Sequence, residues 1–192
     1  MPAPRWQPAR VTYRQIIEDV ARANHGIITT EHARGAGVPS VEVRKIAARG
    51  YLRRIGHGAY RVMLVPDTPL TPFAAALAIA GSSSHLGPAA TLAARGLIAA
   101  RRLIDVCVPR WPSRAEVRGV RVTCRYRDRS ELTHYEGLSM LTLVAALADH
   151  APQFGEERLG TVLDEALLTG HIDAIEWQRV RELRHQRGRR DC

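Results

Sequence analysis

Lysine is almost absent. Lys45 is the only one, and arginine makes up the other 27 of the 28 basic residues. A restriction-type nuclease needs a strand acid followed by Asp/Glu-x-Lys, and a Walker A loop needs Gly-Lys. Lys45, which follows Arg44, supplies neither. Cysteine is scarce as well. Cys107, Cys124 and Cys192 are widely separated and form no CxxC, which excludes a disulfide scaffold and leads us to expect reduced thiols in a cytoplasmic protein. Aromatics are only 5% of the chain, so its core must be built from Ala, Leu, Val and Ile. No apolar run reaches the roughly 18 residues that span a bilayer. The longest, PFAAALAIAG, reads as a buried helix, and MPAPRWQPAR lacks the apolar centre of a signal peptide. No membrane partner is expected.

Other missing patterns narrow the chemistry. There is no Rossmann glycine pattern. The eight histidines (His25, His32, His57, His85, His134, His150, His171 and His185) form no HExxH and no Cys/His zinc set. GSSSH, residues 81–85, looks like the opening of a nucleotidyltransferase signature. That chemistry also needs two carboxylates one residue apart, but Asp105 is followed by Val106 and Cys107. GSSSH therefore reads as a loop and helix cap. Asp164 and Glu165 are adjacent, so on a helix they diverge by about 100° and read as a solvated face. No catalytic residue, cofactor or metal is expected.

What the chain does have is positive charge, unevenly placed. The formal net charge is +9 and the pI about 10.4, a balance that favours a polyanionic partner such as nucleic acid. Residues 1–65 hold 11 basic and 4 acidic residues, a net of +7, and residues 66–192 hold 17 and 15, a net of +2. The second part alternates in sign. Residues 101–129 carry nine arginines against three acids, whereas residues 130–176 carry nine acids against Arg158 alone.

The first third is a succession of short helices and a hairpin. VTYRQIIEDVARANHG places Ile16, Ile17, Val20 and Ala21 on one helical stripe, and Gly26 stops it. After IITT, Thr29 or Thr30 can cap a second helix. GAG breaks it, and Pro39 and Ser40 open a third that Gly50 ends. In the third helix Val43, Ile46 and Ala47 face the core. Val41, Arg44, Lys45 and Ala48 lie opposite, two cations among small residues, which suits the major groove and guanine O6 and N7. YLRRIGHGAYRV follows at once. Leu52, Ile55, Tyr60 and Val62 can hold this hairpin on the core while Arg53, Arg54, His57 and Arg61 face outward. A basic hairpin behind a recognition helix is the wing of a winged helix-turn-helix, its cations placed to grip phosphate or minor groove.

LVPDTPLTP reads as a linker. Beyond it PFAAALAIA and HLGPAATLAARGL read as helices, LIDVCVP and GVRVTCRY as strands, and LTHYEGLSM as a strand or turn. Three helices then close the chain. The expected fold class is α+β: a winged helix-turn-helix over residues 1–65, then a mixed α+β domain over residues 66–192 that ends in helices.

This order resembles the AbiEi family, the antitoxins of type IV toxin–antitoxin systems. GIITTEHARGAGVPSVEVRKIAARGYLRRIGHGAYRV looks like the family's winged helix. SSSHLGPAATLAARGL, IDVCVP, GVRVTCRY, YEGLSMLTLVAALADHAP and LDEALLTGHID follow in a similar order. The resemblance implies a cytoplasmic antitoxin that binds double-stranded DNA repeats in its own promoter and represses its operon. It also implies neutralisation, direct or indirect, of a nucleotidyltransferase-like toxin. The positions it assigns to DNA are Ser40, Arg44, Lys45, Arg49, Arg53, Arg54, His57 and Arg61; Thr30 and Val41, beside them on the helix pair, are expected at DNA as well. Arg49 equally reads as a cation serving the helix C-terminus. The alternative is a stand-alone winged-helix regulator with a ligand or oligomerisation domain. An enzyme acting on RNA or nucleotides is a third reading, which would need a cluster of acids that the sequence does not show.

Overall fold

The computed structural model describes residues 11–110 and 119–188, so MPAPRWQPAR lies outside it. The chain divides into two compact units, Met1–Thr68 and Pro69–Cys192.

The first unit begins with α1 (Tyr13–Arg22), started by a capping box. Thr12 accepts from the Gln15 backbone N–H while the Gln15 side chain accepts from the Thr12 N–H. Ile17 and Ala21 are buried, and Ile16 and Val20 pack at the edge of the core. β1 (Ile27–Thr29) leads into α2 (Thr30–Gly35), for which Thr29 is the cap: its hydroxyl accepts from His32 N–H at 3.0 Å. Gly37, at φ 80°, makes the turn into α3 (Ser40–Ala48). The strands β2 (Leu52–Gly56) and β3 (Ala59–Val62) form the hairpin. β1 adds to it, giving an antiparallel sheet ordered β1-β3-β2 with β3 in the centre. This is a winged helix-turn-helix. Val65 is buried in its core, so the chain stays anchored to this unit beyond the hairpin.

The second unit is built on a five-stranded mixed sheet ordered β6-β5-β4-β8-β7. Its strands are β4 (His85–Leu86), β5 (Ile104–Val108), β6 (Val120–Cys124), β7 (Leu132–Tyr135) and β8 (Leu138–Leu141). LTHYEGLSM is a full hairpin. Glu136 and Gly137, at φ 48° and 78°, make the tight turn between β7 and β8. Two helices, α4 (Thr71–Ala80) and α5 (Pro88–Ala94), flank β4 in sequence, and α6 (Leu143–His150), α7 (Glu156–Leu168) and α8 (Ala174–Gly188) close the unit. Leu92, Leu141, Leu147, Leu163 and Val180 are central to the helical core.

GSSSH is only in part the loop and helix cap expected of it. Ser84 does serve the end of α4, donating through Oγ to Gly81 O and Leu77 O. His85, however, is not in a loop. It lies in β4, the central strand, opposite Cys107 of β5, while Leu86 pairs with Val106 on one side and Met140 on the other. The two-residue strand is too short to carry a period of its own, and its pairing comes from β5 and β8.

Candidate nucleic-acid interface

The helix pair α2 and α3 and the hairpin present one set of polar residues to solvent. Val43 and Ile46 anchor α3 in the core. Val41, Arg44, Lys45 and Ala48 are all exposed on the opposite side, Val41 by half. Arg44 Nε donates to Ser40 O one turn back, at 3.4 Å. Lys45 Nζ pairs with Glu42 Oε1 at 2.8 Å, and the lysine side chain is more than half exposed. Such an exposed pair is worth at most about 1 kcal/mol, so Lys45 can exchange it for an acceptor on a ligand. Arg49, at the end of the helix, is exposed.

The hairpin places Arg53, Arg54 and His57 in solvent. Its register slips between Arg54 and Gly56, and Arg54 Nε donates to Gly56 O at 3.1 Å, which holds the guanidinium over the turn. The turn is tied to the helix pair. Thr30 N–H donates to Gly58 O at 2.8 Å, and a Cβ at Gly58 would lie 2.9 Å from Thr30 Oγ1. Thr30 thus sits behind the hairpin tip and fixes its position against α2.

Arg61 is the exception among the expected residues. It is buried, with 7% of its surface exposed. Its guanidinium donates to the carbonyls of Gly26, Val62 and Val65 and pairs with Asp67 at 2.8 Å. Strand alternation places Arg61 beside Arg53, its Cα partner. But β3 is the central strand, and Gly26 before β1, Val62 at the end of β3, and Val65 and Asp67 beyond it supply the acceptors that take the guanidinium inward. Arg61 is a clamp inside the unit and not an outward-facing cation.

One cation that sequence reasoning missed lies nearby. Arg14 stacks over the Tyr51 ring, 3.9 Å from its centroid. The sequence held a signal for it. Arg14 stands in the first turn of α1, which contains no acid, and a helix N-terminus disfavours a cation there.

A second polar cluster lies inside the C-terminal unit. Arg127 and Asp149, both almost fully buried, form an ion pair; Glu131 lies 3.3 Å from Arg127, and Arg125 lies 3.5 Å from Asp149. Burial holds the His85 imidazole below its usual 6.5, with Arg127 adding to the effect and Glu131 opposing it. His150 is lowered from the same value by burial and by Arg101, against Asp105. Burial pushes the Cys107 thiol up. A histidine pKa depressed by folding means that the unfolded chain binds more protons from about pH 6.5 downward. The associated stability is therefore complete above that value and lost as the pH falls through it. Urea unfolding of the full chain is expected to show the C-terminal transition moving to lower denaturant between about pH 7 and pH 5. A midpoint independent of pH over that range would mean that neither histidine is buried neutral.

Among the described residues no group of three or more His, Cys, Asp or Glu is placed to hold a metal ion, and no helix is long and apolar enough to cross a membrane.

The first unit is thus a winged helix-turn-helix with an exposed basic helix and a basic wing. Residues 15–62 match the family described as transcriptional regulator, AbiEi antitoxin, and over that span the resemblance to the AbiEi antitoxins is borne out. The match supports a DNA-binding regulatory role, and the family is not a class of enzymes. No curated protein matches the chain.

Proposed function

We propose that this chain is an antitoxin that represses its own toxin–antitoxin operon. The N-terminal unit would bind double-stranded repeats in the promoter. α3 would enter the major groove with Arg44 and Lys45 reading base edges, and Ser40 and Val41 would lie at its leading end. Arg53, Arg54 and His57 would grip the backbone from the wing, with Arg49 at the close of the helix and Thr30 holding the wing in place. The observation that carries this reading is the exposed face of α3, two cations beside small side chains, next to a hairpin with two solvent-facing arginines. The C-terminal unit would neutralise a nucleotidyltransferase-like toxin in the cytoplasm, directly or indirectly. Co-expression of the neighbouring reading frame with and without this chain tests that part.

The DNA part is tested by fluorescence anisotropy of the full chain on its upstream duplex and on a scrambled one. Replacing Arg44 and Lys45 with Ala is expected to lose discrimination by about 1–3 kcal/mol for each good base contact removed. Replacing Arg53 and Arg54 is expected to weaken both duplexes alike and to flatten the salt slope by about 1 per phosphate contact. Equal binding of wild type to both duplexes would remove the operator-reading role. An unchanged slope in the second pair would remove the wing's grip on phosphate.

A further inference from the structure

A cleft of about 480 Å³ opens between the start of α1 and one side of α3, with Arg14, Glu42, Ile46, Arg49 and Tyr51 in its lining. Two arginines, Arg14 and Arg49, line it, and neither pairs with a carboxylate among the described residues. The acid that lines it, Glu42, is already engaged by Lys45 at 2.8 Å. Tyr51 supplies a platform that holds Arg14 in place, with the guanidinium carbon 3.9 Å from the ring centroid. The cleft is therefore a recess lined by two arginines, one of them held in place on Tyr51, with Ile46 beside them.

Its position relative to α3 says what it can hold. At about 100° per residue, Glu42, Ile46 and Arg49 fall on a stripe turned roughly 110–120° from the centre of the Val41, Arg44, Lys45 and Ala48 face. Lys45 stands between the two. A helix lying in the major groove has base edges before its outer face and a sugar–phosphate strand along its flank. The cleft lies along one flank of α3. Arg14 is also disfavoured by the dipole of its own helix, a cost that an anion beside it would reverse.

We propose that this cleft seats a backbone phosphate of duplex DNA, with Arg14 and Arg49 as its ligands. The assignment rests on the DNA-reading role proposed above and adds a second grip to the wing. α3 is then held from its own flank by a residue of α1, outside the helix-turn-helix. Arg14 and Arg49 set affinity and orientation but carry no sequence preference.

The test uses the full chain with Arg14→Ala, Arg49→Ala and, as a control for net charge, Arg22→Ala. Arg22 is on the same helix as Arg14 and pairs with Asp19 at 3.0 Å and with Glu18 at 3.6 Å. Anisotropy is measured on the upstream and scrambled duplexes between about 50 and 200 mM salt, with melting curves to confirm folding. Arg14→Ala and Arg49→Ala are each expected to weaken both duplexes by the same factor and to lower the salt slope by about 1. Arg22→Ala should leave the slope near that of wild type. If wild type discriminates between the duplexes but neither cleft variant changes the slope, the cleft is not a phosphate seat and the DNA-reading role stands. A change in the ratio between the duplexes on Arg14→Ala would also overturn the assignment, since it would make Arg14 a reader of sequence. Should wild type bind neither duplex, both readings fall together. A free phosphate compound as occupant predicts a different result. Inorganic phosphate would raise the melting temperature of wild type and not of Arg14→Ala, with the DNA salt slope untouched, and that pattern would equally overturn the proposal.

Discussion

Replacing Asp149 with Ala is expected to destabilise the C-terminal unit by about 3–5 kcal/mol, the cost of stranding a buried charge. Arg127 has a side chain only 4% exposed, and Asp149 one only 3% exposed. An arginine keeps its proton in any protein environment, so it cannot escape burial by neutralising itself. With Asp149 gone, Arg127 would keep Glu131, a quarter exposed and 3.3 Å away, while its Nε already lacks a hydrogen-bond partner among the described residues. His85, which senses both Arg127 and Glu131, would face a less compensated positive charge. The cost belongs to breaking the pair and is not its net worth. Replacing both residues together with apolar side chains of similar volume should cost far less than Asp149→Ala alone. Urea unfolding of the full chain, followed by circular dichroism, measures both variants. A loss below about 1 kcal/mol for Asp149→Ala, the range of exposed pairs, would show that water reaches this cluster.

Arg61→Ala is expected to weaken DNA binding by destabilising the N-terminal unit and so lowering the folded fraction. Each hydrogen bond to a charged group contributes about 1.5–3 kcal/mol, and this guanidinium donates to three carbonyls and pairs with Asp67. Some of those acceptors keep another donor: Gly26 O also accepts from Val62 N–H, and Val62 O from Val65 N–H. The loss should therefore fall short of the full sum. Lysine should not substitute, because a point ammonium cannot span acceptors that a planar fork reaches together. Gly26→Ala should act in the same direction. Its φ of 81° strains any side chain, and the added Cβ would fall within the Arg61 guanidinium. The readout separates this clamp from a DNA contact. Loss of a clamp lowers the melting temperature and leaves the salt slope of the remaining folded protein unchanged. Loss of an outward phosphate contact would lower the slope by about 1 and leave the melting curve alone. The second pattern would restore Arg61 to the DNA-facing set.

These two variants also mark where local reading stops. The succession of three helices and a hairpin in the first unit was legible because its signals act over a few residues. Thr29 caps a helix, Gly37 and Gly50 end helices, and the stripe of Ile17 and Ala21 and the pair Val43 and Ile46 declare their buried sides. The exposed set on α3 followed from the same period. In the second unit, β5 and β6 were readable because their apolar residues alternate over five positions.

Residues whose role depends on distant partners were not readable in this way. Arg61 alternates outward along its own strand, and only the carbonyls of Gly26, Val62 and Val65, gathered by the fold, turn it inward. His85 looked like part of a loop because a two-residue strand has no period, and its place is set by β5 and β8. Arg127 and Asp149 lie 22 residues apart. Arg14 and Tyr51 are farther apart still, and they meet only because the fold brings the start of α1 to the residue that follows α3 and Gly50. The sequence by itself determined the order and type of elements in the N-terminal unit and the positive charge of its helix and wing. Caps, turns and periodicity are local, and charge is written in composition. Tertiary structure decided which arginines that charge leaves available and which become clamps. Burial and pairing are properties of the residues that the fold brings together, and no short stretch of chain contains both halves of such a contact.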